Sequence, residues 1–204
     1  MTCFFPVTSD KRSCNYSLVT IYPLLSSAGI NLLYLLFLID FDIPMDIKQS
    51  FGPIVDPKTT ILILGTMPSD KSLALAEYYG NPRNRFWKII AALTNNELPL
   101  TYSEKKELLA KTGIGVWDVV CKASRKGSLD SAIENEEPND LDNFISTHKN
   151  IKVIGFNGAK SEALFNKYFD RKPGIRYVSL PSSSPANAGI SFDALCNVWR
   201  QLLV

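Results

Sequence analysis

The sequence predicts an α/β domain, a three-layer αβα sandwich around a central, mainly parallel sheet, and three observations lead to it. From Met45 onward, short apolar runs alternate with segments of helical period, and strands joined through helices place helices on both faces of a parallel sheet. Ile61 to Leu64 is a continuous apolar run closed by Gly65, which suits a central strand buried on both faces. Three predicted strands run into small or polar residues, Gly65-Thr66, Phe156-Asn157-Gly158 and Pro181-Ser182-Ser183-Ser184. In a parallel sheet such ends share one edge, where ligands bind.

The 204 residues accommodate one domain with a sizeable core plus an appendage. Residues 1–44 differ in character from the rest. Lys11 and Arg12 precede a mostly apolar stretch, Tyr16 to Ile39, broken by Pro23, Ser26, Ser27, Gly29 and Asn31. A membrane helix needs about 20 predominantly apolar residues. The segment therefore reads as an N-terminal leader or targeting extension, with an anchor as the alternative, and residues 45–204 as the domain.

Within the domain, Ile61 to Leu64 opens onto a Gly/Pro turn and a polar loop. Phe86, Ile89, Ile90 and Leu93 fall at i, i+3, i+4 and i+7, the stripe of a core-facing helix. Ser103 to Thr112 is a second helix with Leu108 and Leu109 inward, stopped by Gly113. Val116-Trp117 and Val119-Val120 form a strand end with Asp118 at its mouth. Ser124 to Asn139, carrying Glu134, Glu136 and Glu137, reads as a loop with a short helix. Asp140 to Lys149 is a helix burying Leu141, Phe144 and Ile145; Lys152 to Phe156 is a strand. Ala159 to Phe169 is a helix burying Leu164, Phe165 and Tyr168. Arg176 to Leu180 is the next strand, and Ser191 to Leu203 a closing helix with Phe192, Leu195, Trp199 and Leu202 on one face.

Composition removes several classes of chemistry. The four cysteines show no CxxC pair and no metal-ligand spacing, so they read as free thiols of a reducing compartment, with no metal and no cofactor expected. The single histidine, His148, lies at a helix end, which argues against Ser-His-Asp and Cys-His mechanisms. There is no GxGxxG and no GKS/T after a strand, hence no dinucleotide or P-loop site. A net charge of +2 is too small for a protein that coats nucleic acid, so any such contact rests on a local cluster, Arg83, Arg85 and Lys88.

Asn81-Pro82-Arg83-Asn84-Arg85-Phe86-Trp87, a short loop after the strand and its Gly-Thr-Met-Pro turn, resembles a segment of the uracil-DNA glycosylase superfamily. Leu180-Pro181-Ser182-Ser183-Ser184-Pro185-Ala186-Asn187 is similar to that superfamily's second motif. With Trp117-Asp118-Val119, Gly127-Ser128-Leu129-Asp130 and Phe156-Asn157-Gly158, the likeness runs from about Ile47 to the C-terminus and is nearest the hypoxanthine (deoxyinosine) branch. Relatives start just before the first strand, as Met45-Asp46-Ile47 would.

The resemblance implies a monofunctional base-excision enzyme, with DNA carrying a deaminated base, double- or single-stranded, as its partner. A monomer without an obligate protein partner, acting in the cytoplasm, is expected. The alternatives are a uracil/mismatch-specific glycosylase, an inactive DNA-binding relative, or a nucleotide-processing enzyme using the same cleft. Where relatives hold the attacking water with a first-motif carboxylate or asparagine, this chain has Met67, which throws the burden onto Asn84. Asn84 is also placed to cap the following helix. The resemblance assigns base binding to Gly65, Thr66, Tyr79, Asn157 and Ser182, with Tyr79 as the stacking aromatic. Ser182 stands where relatives carry histidine or asparagine. It assigns DNA contacts to Ser69, Arg83, Ser184, Pro185, Ala186 and Asn187, with Ala186 in place of a larger wedge.

Overall fold

The computed structural model describes residues 47–203. The readings made of residues 1–44, including Cys3 and Cys14, fall outside that range. The strand Ile61–Gly65 (β2) is the axis of the fold, and none of its five residues is exposed. It pairs in parallel with Ile114–Asp118 (β3) on one side and Val153–Asn157 (β6) on the other, and β6 pairs in parallel with Arg176–Leu180 (β7). The order is β3-β2-β6-β7, a four-stranded parallel sheet.

Alternation along β2 sorts the core into two layers, because successive side chains point to opposite faces. Ile61 and Ile63 pack with the helices Phe86–Leu93 (α2), Tyr102–Thr112 (α3) and Phe192–Trp199 (α6). Leu62 and Leu64 pack on the other face with Leu141–Thr147 (α4) and Ala159–Tyr168 (α5). Each fully buried aliphatic side chain of this kind contributes about 1.5–3 kcal/mol. The predicted three-layer sandwich is thus the observed one.

Most elements match their expected spans to within a residue or two. The helix α3 carries a full capping box, Thr101 with Glu104, and stops at Gly113 in the left-handed region at φ 66°. Sequence reading departs from the structure at three places. The polar loop after β2 contains a short helix, Asp70–Leu75 (α1), capped by Ser69. The expected loop with a short helix from Ser124 to Asn139 does hold a 3-10 turn at Asp130–Ala132, but it is flanked by strand on both sides. Val120–Arg125 (β4) pairs antiparallel with Ile133–Pro138 (β5) and with Ile47–Gln49 (β1) in a second, three-stranded sheet. The chain crosses between the sheets at Val119, whose N–H donates to Gly65 O at 2.9 Å. Finally, the closing helix tightens into a 3-10 turn at Arg200–Leu203, and Phe192 is exposed while Leu195, Trp199 and Leu202 are buried.

Trp199 joins the core to the edge where the loops gather. Its ring is fully buried and its Nε1–H donates to Pro181 O at 3.0 Å. Trp199→Ala should cost about 3–5 kcal/mol, read as a lowered urea midpoint at unchanged slope.

Candidate active site

The carboxyl ends of β2, β3, β6 and β7 open onto one cleft of about 700 Å³. The three loops expected to converge do so. Gly65 to Ser69, Asn157-Gly158 and Pro181 to Ser184 all line it, with Tyr78, Tyr79, Asn84, Asp118 and the turn Ser128-Leu129-Asp130.

Gly65 is required by close approach rather than by its backbone angles. A Cβ there would lie 2.5 Å from Asp118 Oδ1 and 3.3 Å from the Tyr79 hydroxyl. The bare strand end lets both polar groups reach over it. Thr66, next in line, is buried and donates through Oγ1 to Asp130 Oδ2 at 2.9 Å. Met67 lines the wall as a buried thioether.

Tyr79 stands at φ 52°, in the left-handed region, and stacks on Phe86 with centroids 3.8 Å apart at 12°. One ring face is therefore occupied. Burial first, and the nearby Asp118 next, push its hydroxyl pKa up, so the phenol stays neutral. Asn157 is buried and uses most of its amide inside the protein. Its Nδ2 donates to the Tyr79 hydroxyl at 3.1 Å and to Ser183 Oγ at 2.9 Å, and its Oδ1 accepts from Ser183 N at 2.8 Å. An amide offers two donors and two lone pairs. With both donors committed, one oxygen lone pair remains free of these bonds.

Asn84 lines the cleft at the mouth of α2 while its Oδ1 accepts from Phe86 N at 3.0 Å. Arg85, at the N-cap position, makes no side-chain cap bond, and Asn84 one residue earlier accepts the first helical N–H instead; this bond and the cleft position coexist, and the second lone pair of the same oxygen is available to a water. Ser69 caps α1, accepting from Ser72 N at 3.3 Å. Ser182 Oγ accepts from Ser184 N at 3.2 Å, and Asn187 Nδ2 donates to Ser182 O at 2.9 Å, folding this loop on itself. Ala186 is exposed at the rim, whereas Pro185 is in the loop but not on the cleft wall.

The basic cluster divides. Arg83 and Lys88 are exposed, and Arg83 does not line the cleft. Arg85 is a clamp: its two terminal nitrogens donate to Ile190 O and Asn187 O, each at 2.6 Å. It holds the second-motif loop against α2 instead of a phosphate. His148 sits at the end of α4, stacked on Phe144 at 4.0 Å and away from the cleft.

Two carboxylates of the cleft were not among the expected site residues. Asp118, the last residue of β3, is buried, and its Oδ2 accepts from Ser50 Oγ at 2.6 Å. Burial first, with Asp130 adding, raises its pKa to about 7 against the Ser50 hydrogen bond. Asp130 is raised as well, by desolvation, and lies 3.9 Å from the buried Arg125 guanidinium. Near neutrality Asp118 can donate a hydrogen bond as the acid or accept one as the carboxylate. Its neighbours come from residues 50, 65 and 79, so only the placement of Asp118 at a strand mouth was legible beforehand. Among the described residues no group of three or more His, Cys, Asp or Glu is arranged to hold a metal ion.

A family model described as the Uracil DNA glycosylase superfamily matches residues 53–203. The chain belongs to that superfamily. It is 40% identical over 148 residues to a hypoxanthine DNA glycosylase of Methanosarcina acetivorans, covering 71% of this chain and 91% of the relative. A hypoxanthine DNA glycosylase of Methanosarcina barkeri is 38% identical over 115 residues, covering 56% of this chain and 73% of the relative. The solution NMR structure of a Methanosarcina acetivorans protein superposes with a TM-score of 0.64 at 36% identity, covering 78% of this chain and 99% of that one.

The raised Asp118 acid has a consequence for stability. In the unfolded chain an aspartate ionises near pH 4, while in the folded protein Asp118 keeps its proton to about pH 7. Unfolding thus releases a proton between these values, so the contribution of Asp118 to stability is full below about pH 4, falls as pH rises toward 7, and is gone above it. Asp118→Asn, whose amide oxygen can still accept from Ser50, should flatten that fall, on the order of a few kcal/mol. Urea midpoints of both proteins at pH 5 and 7.5 measure it.

Proposed function

We propose that this chain is a monofunctional DNA glycosylase that hydrolyses the N-glycosidic bond of deaminated nucleotides, hypoxanthine in deoxyinosine foremost. The observation that carries the reading is the 40% identity to a hypoxanthine DNA glycosylase across 91% of that relative. It rests also on a cleft at the sheet edge large enough for an extruded base.

Breaking the bond passes through a sugar with oxocarbenium character and a base carrying negative charge. A preorganised polar site stabilises both and places a water behind the sugar. Met67 cannot hold that water. Asn84 lines the cleft and keeps one oxygen lone pair beyond its Phe86 bond, so it orients the water as an acceptor without acting as a base. Gly65, Thr66, Tyr79, Asn157 and Ser182 frame the base, with Tyr79 offering the ring face that Phe86 leaves open. Ser69, Arg83, Ser184, Pro185, Ala186 and Asn187 contact the strand. Among the described residues lining the cleft there is no lysine, which favours hydrolysis over a Schiff base and strand cleavage. In this reading the activity resides in residues 45–204, the protein acts as a monomer on double- or single-stranded DNA, and it works in the cytoplasm. Among the described residues no helix is long and apolar enough to cross a membrane.

Duplexes carrying inosine, uracil or xanthine, incubated with the protein and then treated with alkali, should break at inosine. Uracil release without inosine release would move the assignment to a uracil/mismatch enzyme, and turnover of free deoxyinosine alone would defeat a DNA substrate. Asn84→Ala should lower base release by about 10²–10³ with nearly unchanged DNA affinity, the loss expected for one transition-state hydrogen-bonding group. Asn84→Asp keeps the cap and should retain stability while altering the rate. If Asn84→Ala is about 1 kcal/mol less stable yet fully active, the residue is only a helix cap.

A further inference from the structure

Reaching a base inside a duplex leaves a gap in the stack, and an inserted side chain, frequently an apolar one, opposes its closing. The second-motif loop does not supply one. Its rim residue is Ala186, a single methyl group, and its neighbour Asn187 is tied to Ser182 O through its side chain and to Arg85 through its carbonyl.

The missing side chain has a counterpart across the sheet edge. Large apolar residues exposed among the described residues are Ile47, Leu75, Leu98, Leu100, Leu129, Phe192 and Leu203, and of these Leu129 alone lines the cleft. It is 61% exposed. The segment carrying it is fastened on both sides. Lys48 Nζ donates to Gly127 O at 2.8 Å, Asp70 N to Ser128 Oγ at 3.0 Å, and Ala132 N to Leu129 O at 3.1 Å; Thr66 holds Asp130. These bonds anchor the turn to β1, α1 and the end of β2, whereas the Ala186 loop follows the far edge strand β7. A leucine held in water on so firmly braced a turn contributes little to the core, and ordering it in advance lowers the cost of inserting it elsewhere. Lys126, exposed three residues earlier, supplies a positive charge for the neighbouring phosphate.

We propose that Leu129 is the wedge that enters the base stack and holds the target nucleotide in the cleft. This rests on the glycosylase reading. It assigns strand opening to the turn between β4 and β5, on the opposite rim from the second-motif loop.

The test compares duplex with single-stranded oligonucleotides carrying inosine, using the full chain. A single strand has no partner to re-pair with, so the wedge matters in the duplex. For Leu129→Ala the duplex-to-single-strand ratio of base release should fall roughly tenfold to a hundredfold, the effect of losing part of what offsets unstacking. Leu129→Met should restore most of it. Because the side chain is exposed, these changes leave the core untouched. An unchanged ratio in Leu129→Ala overturns the proposal. A second readout is 2-aminopurine placed beside the inosine of a duplex, which brightens when unstacked. The wild-type protein should brighten it on binding and Leu129→Ala should not; equal brightening overturns the wedge. Should the wild-type protein release no base from either substrate, the glycosylase reading fails, and the fluorescence comparison still decides the role of Leu129.

Discussion

The buried amide of Asn157 is the interaction on which the cleft depends. It sits at the end of β6 and bonds in both directions, to the hydroxyl of Tyr79 after β2 and to the main chain and hydroxyl of Ser183 after β7. Three loops from three strands thereby share one side chain, and their relative positions become a property of the sheet. Left unpaired, these groups would each cost about 1–3 kcal/mol in a buried setting, so the network holds together or fails as a unit. Arg85 extends it, fixing the far part of the same loop to the start of α2, and Arg85 N donates to Ser183 O at 3.0 Å.

Around that fastening, the residues of the cleft divide by what remains free on them. Tyr79 has one ring face against Phe86 and its hydroxyl bonded to Asn157. Asn84 keeps a lone pair, and Asp118 keeps a proton near neutrality. The site therefore consists of groups oriented before any ligand arrives. Preorganisation of this kind is what lets dipoles act on charge as it develops, with little rearrangement at the moment of reaction.

The parallel sheet was legible because its strands are short apolar runs, and the convergence of its loops followed from topology alone. The second sheet was not legible for a physical reason. The strand β5 reads Ile-Glu-Asn-Glu-Glu-Pro and is largely exposed beyond Ile133, so it carries no hydrophobic period, and its pairing with β4 supplies the signal that its sequence lacks. The helix α1 has only six residues, too few for a recurring stripe. Within the site, Gly65, Asn84 and Asn157 were placed by local pattern and resemblance. Asp118 gains its character from Ser50 and from the absent side chain of Gly65, and Arg85 from carbonyls 102 and 105 residues away. Pairings over such separations leave no mark on the spacing of one sequence.

The Arg85 clamp grips main-chain carbonyls, which every residue at positions 187 and 190 would present. Asn187 adds a side-chain bond to Ser182 O and Ile190 packs on the core, so the freedom lies between them, at the exposed Ala188 and Gly189, which can drift without unseating the wall of the cleft. Evolution is thus handed a fixed frame with interchangeable fittings, where new surface chemistry can be tried while the lining of the cleft stays in place.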